Sequence, residues 1–377
     1  MVKLWAFHLP QFHPIPENNR WWGEGFTEWD NVRKAEPKFP GHRQPHCPLK
    51  GYYDLRCRET LRRQAELAHR YGISGFVFYH YWFHGRRLLE KPLEIILQER
   101  EFSLPFCLCW ANESWTRRWD GMNEDVLISQ NYSPLDDLQH ISALIEIFKD
   151  ERYFRHQGRP VLLVYRSEDL PDPCKTAALW RREVRKAGFP DLYLLRVEGI
   201  VPDLDPSRHG FDAAVEFAPD WRCLSRRIYL DKAGCWSESA AQAHPGTVEN
   251  RVFSYPEVVA AMQAKAFPGY KRYLGVFPAW DNSARRRDGG ATIIHGASAE
   301  AYFDFLRQTI TRTKKNFTEE DRLIFINAWN EWGEGCFLEG DCRQGETLLK
   351  ATAQALVTEN SERTRLWQRI FFRKQWP

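Results

Sequence analysis

Glu331 and Glu334 stand three residues apart in the segment Asn327-Ala-Trp-Asn-Glu-Trp-Gly-Glu-Gly335, flanked by tryptophans and by Asn330. Two carboxyl groups so placed suit glycosidic bond cleavage: one protonates the leaving oxygen while the other acts as base or nucleophile on the sugar. Aromatic faces such as those of Trp329 and Trp332 bind the C–H side of a pyranose ring, and a merely solvated turn would have no use for them. In an extended chain, residues three apart point to opposite sides. Convergence of the two acids therefore requires the backbone to turn near Gly333. One acid must also keep its proton near neutral pH, and burial beside Trp332 and a second carboxylate would both raise its pKa.

The apolar run Leu323-Ile-Phe-Ile326 reads as a buried strand and puts the acid pair at its carboxyl end. Seven further runs have the same character, giving strands predicted at residues 2–9, 75–83, 106–112, 161–166, 193–199, 213–219, 273–281 and 323–329. Runs buried on both faces and alternating with amphipathic helices argue for an α/β fold with a parallel sheet, and eight units close most naturally into a single (β/α)8 TIM-type barrel. A doubly wound sheet is the alternative. The barrel would fill residues 1–360, followed by a basic and aromatic tail at 361–377.

Helix signals support the alternation. Asp54 is placed to cap a helix carrying Leu61, Ala65 and Ala68 and ending at Gly72. Ser298 starts another with Tyr302, Phe305, Leu306, Thr309 and Ile310 on one face. A third begins near Asp136 and shows Leu138, Ile141, Ile145 and Phe148. Two connections, residues 10–53 and 220–272, are too long to be mere links. The first carries Trp21, Trp22, Phe26, Glu28 and Trp29, and the second Trp221, Arg226, Arg227 and Trp236. Both follow a strand, so both are expected to wall a cleft over the acid pair.

Strand ends supply the remaining candidates. His8 ends the first strand and Tyr79, His80 and Trp82 end the second, so these four should face the barrel mouth. Trp110, Asn112, Glu113 and Trp115 follow the third strand, and Trp280, Asp281 and Asn282 the seventh. Glu216 lies inside a predicted strand and reads as a structural acid. Arg117 and Arg118 fit an acidic sugar less well than a solvated surface.

Composition excludes several classes. A net charge of +3 from 53 basic and 50 acidic residues gives no drive toward nucleic acid. No run is long enough for a membrane span, and the chain enters its first strand without a signal peptide, so a cytoplasmic enzyme is expected. Nine cysteines at irregular spacing fit reduced thiols. Neither His42 with His46 nor His80 with His84 lies on a predicted helix, and no glycine-rich phosphate loop occurs, so neither metal nor cofactor is expected. Asp203-Leu-Asp205 forms the short acidic triplet many sugar transferases use for a divalent ion, but its flanking prolines suggest a turn. The tail, with Arg363, Arg365, Arg369 and Arg373 among Trp367, Phe371 and Trp376, would dock on the barrel or touch an anionic membrane surface or another domain.

Five ordered motifs carry a family resemblance: His8-Leu-Pro-Gln-Phe-His13-Pro, Trp21-Trp-Gly-Glu-Gly-Phe-Thr-Glu28-Trp, Tyr79-His-Tyr-Trp82-Phe, Trp110-Ala-Asn-Glu113-Ser-Trp115 and Trp329-Asn-Glu-Trp-Gly-Glu334-Gly. Together they resemble the WbsX-like family, whose members look like relatives of family 99 glycoside hydrolases. The resemblance implies a (β/α) barrel and retaining cleavage of mannoside-type linkages. It also implies roles: Glu331 would deprotonate a sugar 2-hydroxyl, giving a 1,2-anhydro intermediate, and Glu334 would serve as acid and then base. The implied activity is that of a glycoside hydrolase or transglycosidase on a bacterial-type surface polysaccharide or oligosaccharide. Because WbsX-like genes often sit among surface-polysaccharide functions, a lipopolysaccharide or O-antigen glycosyltransferase with an activated donor is the first alternative. A non-catalytic carbohydrate-binding barrel is the second.

Overall fold

The structure is a computed structural model that describes residues 1–117, 122–224, 227–228, 250–286 and 289–358. Each of the eight apolar runs forms a strand: β1 (Lys3–His8), β2 (Ile73–Phe83), β3 (Phe106–Trp110), β4 (Arg159–Val164), β5 (Tyr193–Glu198), β6 (Ala213–Glu216), β7 (Arg272–Val276) and β8 (Leu323–Ile326). Every neighbouring pair is parallel, and β8 pairs back onto β1 through Lys3 opposite Leu323 and Ala6 opposite Ile326. The sheet thus closes as a (β/α)8 barrel. Among the described residues, seven helices flank the barrel, α1 (Arg58–Arg70), α2 (Lys91–Gln98), α3 (Pro134–Phe148), α4 (Pro173–Lys186), α5 (Tyr255–Ala264), α6 (Ala299–Asn316) and α7 (Thr347–Thr358), and two shorter ones, Pro16–Trp22 and Glu28–Arg33, lie in the connection between β1 and α1. After β5 the described chain makes only a short 3-10 turn, Pro206–His209.

The inside of the barrel is aromatic. Phe7 meets Tyr79, Phe217 and Phe325 at ring-centroid distances of 5.5, 6.4 and 6.3 Å, and Tyr165 meets Tyr79 and Phe217 at 6.2 and 5.7 Å. These contacts cross from strand to strand and fix the inward register. With a period of two, Phe7, Tyr79 and Tyr81 point in, so His8, His80 and Trp82 point out toward the helices.

Several local expectations are corrected. Asp54 does not cap α1; it accepts from its near neighbour Arg56 N at 2.7 Å, and α1 begins after Cys57 without a side-chain cap. In α3 the cap is Ser133, which accepts from Asp136 N at 3.1 Å. Leu138 is exposed there, and the buried stripe runs through Ile141, Leu144, Ile145 and Phe148 at helical spacing. Ser298 caps α6 through Ala301 N as expected. The predicted seventh strand is too long: β7 stops at Val276. Pro278 lacks the donor a barrel ladder needs, and Trp280–Asp281 joins a separate small sheet with Arg251–Ser254 and Thr292–His295. Arg118, Arg226, Trp236 and the tail 361–377 lie outside the described residues. Among the described residues no helix is long and apolar enough to cross a membrane.

Candidate active site

Beyond β8 the chain turns at once. Trp329 N donates to Phe7 O at 2.7 Å, and Asn330 brackets Leu9, accepting from its N at 2.7 Å and donating to its O at 3.0 Å. This ties the end of β8 to the end of β1. Asn330–Glu331 then pairs antiparallel with Cys336–Phe337, and the link between them is the 3-10 turn Trp332–Glu334, closed by Gly335 at φ +58°. The turn required for convergence therefore exists, and it brings both acids to one side. Gly333 leaves room for it: a Cβ there would fall onto Glu28 Oε1 and lie 2.9 Å from Arg285 Nε.

Arg285, in a short 3-10 turn after Asp281, organises the centre. Its Nη2 donates to Glu331 Oε1 at 2.6 Å, its Nη1 to Glu334 Oε1 at 2.7 Å and its Nε to Glu28 Oε1 at 2.8 Å. One guanidinium thus serves three carboxylates, each through a different nitrogen. Burial alone would lower the Arg285 pKa, but the charges of Glu28, Glu331 and Glu334 outweigh it and hold the side chain firmly protonated. Burial pushes Glu331 up to about 8; Arg285 opposes the rise, while the charges of Glu334 and Glu28 add to it. Glu334 is raised too, by burial first. With one cation against three acids, the cluster retains a proton near neutral pH, and that proton belongs to the Glu331–Glu334 pair.

Both acids line one open cavity of about 1260 Å³ counting its mouth. Tyr79, Tyr81, Tyr165 and Phe217 form its floor, and burial keeps the Tyr79 and Tyr165 hydroxyls well above the ordinary tyrosine range. Trp21 and Trp22 from the first long connection, Glu113 and Trp115 after β3, and Asn282, Arg285 and Arg286 also line it. Glu113 accepts from Arg166 Nη1 at 2.9 Å, and Asn282 accepts from Thr292 N at 2.8 Å.

Other candidates are turned away, for the reason the strand register gives. His8 is buried against α1, where it meets Gln64 at 3.0 Å, and burial lowers its pKa to about 4. His80 packs behind the sheet on His140 at 3.0 Å, and Trp82 Nε1 donates to Asp136 at 3.0 Å while its ring stacks on His140. Trp110 is buried against Trp180 and His140. Asn112 is a strut, accepting from Arg166 N and donating to Arg166 O, both at 2.8 Å. Trp280 lies edge-on to Trp221 outside this cavity, and Trp329 and Trp332 are wholly buried, the latter stacked on Phe337 at 3.7 Å. Glu28 is buried under Arg285 rather than exposed to the cavity. The 220–272 connection adds none of the described cavity-lining residues, and its residues 225–226 and 229–249 lie outside the described ones; the turn after Asp281 does line the cavity.

Arg285, Tyr81, Tyr165 and Gln11 line the site without being among the residues expected from the sequence, whereas Trp21 lies on the connection expected to wall it. Tyr81 was within reach, because it lies two residues beyond Tyr79 on the same strand face. Arg285-Arg-Arg287 signalled a cationic turn next to Asn282. The remaining acids and histidines are engaged elsewhere. Asp281 accepts from Gln44 at 2.6 Å and lies 2.7 Å from His42 Nε2; Glu216 accepts from Lys265 at 2.5 Å; Asp205 caps a turn at Ser207 N; and Asp203 pairs with Arg222 at 2.6 Å.

The family model described as glycosyltransferase WbsX matches residues 4–352. The WxcX proteins of two Xanthomonas campestris pv. campestris strains, B100 and ATCC 33913, both described as uncharacterised, are 44% identical over 363 residues. That alignment covers 94% of this chain and 50% of each relative, so the chain spans about half the length of the curated relatives it matches. Among solved structures, a glycoside hydrolase-like protein superposes with a TM-score of 0.59 at 12% identity, covering 94% of this chain and 93% of the other. The GH99 endo-alpha-mannosidase from Bacteroides thetaiotaomicron superposes with a TM-score of 0.55 at 15% identity, covering 96% and 97%. At such identities these two likenesses speak for the fold. The match along residues 4–352 and the 44% identity with the WxcX proteins go further: the chain belongs to the family described as glycosyltransferase WbsX.

Proposed function

We propose that this barrel is a retaining glycoside hydrolase or transglycosidase acting on a surface polysaccharide or oligosaccharide, with Glu331 and Glu334 as its catalytic pair. The observation that carries the reading is the shared guanidinium: one buried and one half-buried carboxylate held by the two Nη atoms of Arg285 and opening into one aromatic cavity. In the singly protonated pair, the reactive form carries the proton on Glu334. Glu331 takes the proton of the sugar 2-hydroxyl as that oxygen attacks the anomeric carbon, and Glu334 protonates the departing glycosidic oxygen. Water then opens the 1,2-anhydro sugar, giving a proton to Glu334 while O2 recovers its own from Glu331. Two inversions leave the configuration retained. Arg285 offsets the negative charge of whichever acid is ionised at each stage, and Trp21, Trp22 and Trp115 supply aromatic faces for sugar rings.

The family description supports a second reading, transfer from an activated sugar donor. Asp203 and Asp205, the one acidic triplet of transferase type, are engaged outside the cavity with Arg222 and a backbone cap. Purified protein should be incubated with a panel of bacterial polysaccharides, with and without nucleotide sugars and divalent ions. Release of new reducing ends without a nucleotide sugar is expected. Turnover only when a nucleotide sugar is supplied would replace the hydrolase reading by the transferase one, and tight saccharide binding without any turnover would leave a binding barrel.

A further inference from the structure

Cys47 and Cys342 lie 295 residues apart in sequence, yet their Sγ atoms are 2.7 Å from each other. The backbones around them run antiparallel. Leu49 N donates to Gly340 O at 2.8 Å and Cys342 N to Cys47 O at 2.9 Å, so the two cysteines face each other across a short two-stranded contact centred on Pro48 and Asp341. Directly opposed residues in such a pair have Cβ atoms roughly 4.5–5.5 Å apart, close to the span a disulfide needs. Cys342 is exposed and Cys47 half-buried, so a reagent can reach the pair.

We propose that Cys47 and Cys342 form a reversible disulfide staple. The oxidant is a low-molecular-weight disulfide of the glutathione class. One cysteine thiolate attacks it and expels one thiol; the second cysteine then attacks the mixed disulfide and expels the other. Two protein S–H bonds become one S–S bond, and one oxidant S–S bond becomes two S–H bonds. The staple joins the first long connection to the loop that follows the acid pair. Its two cysteines are next in sequence to residues that line a second cavity, His46 on one segment and Asp341 and Arg343 on the other. The inference is independent of the reading of the Glu331–Glu334 site.

The test uses the full chain, oxidised with glutathione disulfide, alkylated under denaturing conditions, digested and examined by mass spectrometry. The expected result is a peptide linking Cys47 to Cys342, absent from the C47S and C342S variants and lost on adding dithiothreitol, while Cys57 and Cys174, also exposed, are recovered alkylated or as glutathione adducts. Because a crosslink constrains the unfolded chain, the melting temperature of the wild type should rise by about 5 °C on oxidation and that of C342S should not. Glutathione adducts on Cys57 and Cys174 with no Cys47–Cys342 link would overturn the proposal, as would a link that forms without any melting shift relative to C342S.

Discussion

Arg285 Nε donates to Glu28 Oε1 at 2.8 Å, joining residues 257 positions apart. Glu28 is wholly buried and its other oxygen has no hydrogen-bond partner, so its negative charge is directed at the guanidinium. That contact fixes the plane of Arg285 and leaves both Nη atoms for Glu331 and Glu334. The arrangement is electrostatically expensive by itself, since desolvated charges are stabilised only while every partner is present.

Removing the arginine should expose that cost. In R285M, two buried carboxylates and one half-buried one lose their counter-charge, and breaking a buried ion pair typically costs roughly 3–5 kcal/mol. Carboxylates raised in the folded state take up protons as the pH falls, so the loss should be largest above neutrality and smaller near pH 5. Melting curves of R285M and wild type across that range check this. A gap that does not narrow on acidification would mean that Arg285 is a packing residue.

Glu334 is the more open of the pair, with 22% of its side chain exposed against 7% for Glu331, which suits delivery of a proton to a leaving group. E334Q should therefore lose about two to four orders of magnitude in rate on natural glycosides and far less on aryl glycosides whose leaving groups need little protonation. Equal losses on both substrates would remove Glu334 from the acid role.

The barrel was legible because its strands are buried on both faces and separated by amphipathic helices, so hydrophobic runs mark them without tertiary information. The acid pair was legible because it follows such a run directly. Which way strand-end residues point was harder. His8, His80 and Trp82 share a register parity opposite to that of Phe7 and Tyr79, and a position near the mouth along the strand carries no information about that parity. Arg285 escaped for a different reason: Glu331 and Glu334 lie in the turn beyond β8 and Glu28 begins a short helix, Glu28–Arg33, and no local pattern records contacts of that separation.

The tryptophans separate accordingly. Trp21, Trp22 and Trp115 line the cavity, and Trp21 and Trp115 meet edge-on at 6.0 Å, whereas Trp82 and Trp110 are buried behind the sheet. Alanine at any of the first three should weaken saccharide binding by about five- to tenfold, taking roughly 1 kcal/mol for an aromatic contact, with little change in melting. Alanine at Trp82 or Trp110 should instead destabilise the fold by about 3–5 kcal/mol. Calorimetric titration on folded variants tells the groups apart; binding that survives loss of all three cavity tryptophans would put the saccharide elsewhere.

The pH response follows from the shared proton. Glu331 stands at about 8 in the folded protein against 4.5 for an ordinary glutamate. The folded state therefore holds a proton that the unfolded chain has released, and stability contributed by this group is fully present below about pH 4.5 and lost as the pH rises toward 8. E331Q cannot titrate there, so its melting temperature relative to wild type should climb steadily across that window. Activity has the complementary limit. Loss of the last proton from the pair leaves no acid for the leaving group, so kcat/KM should fall on the alkaline side with a midpoint near pH 8. Wild-type activity that stays flat to pH 9.5, together with an E331Q melting difference independent of pH, would show that Glu331 is ionised throughout and that the proton needed for cleavage is held by another group.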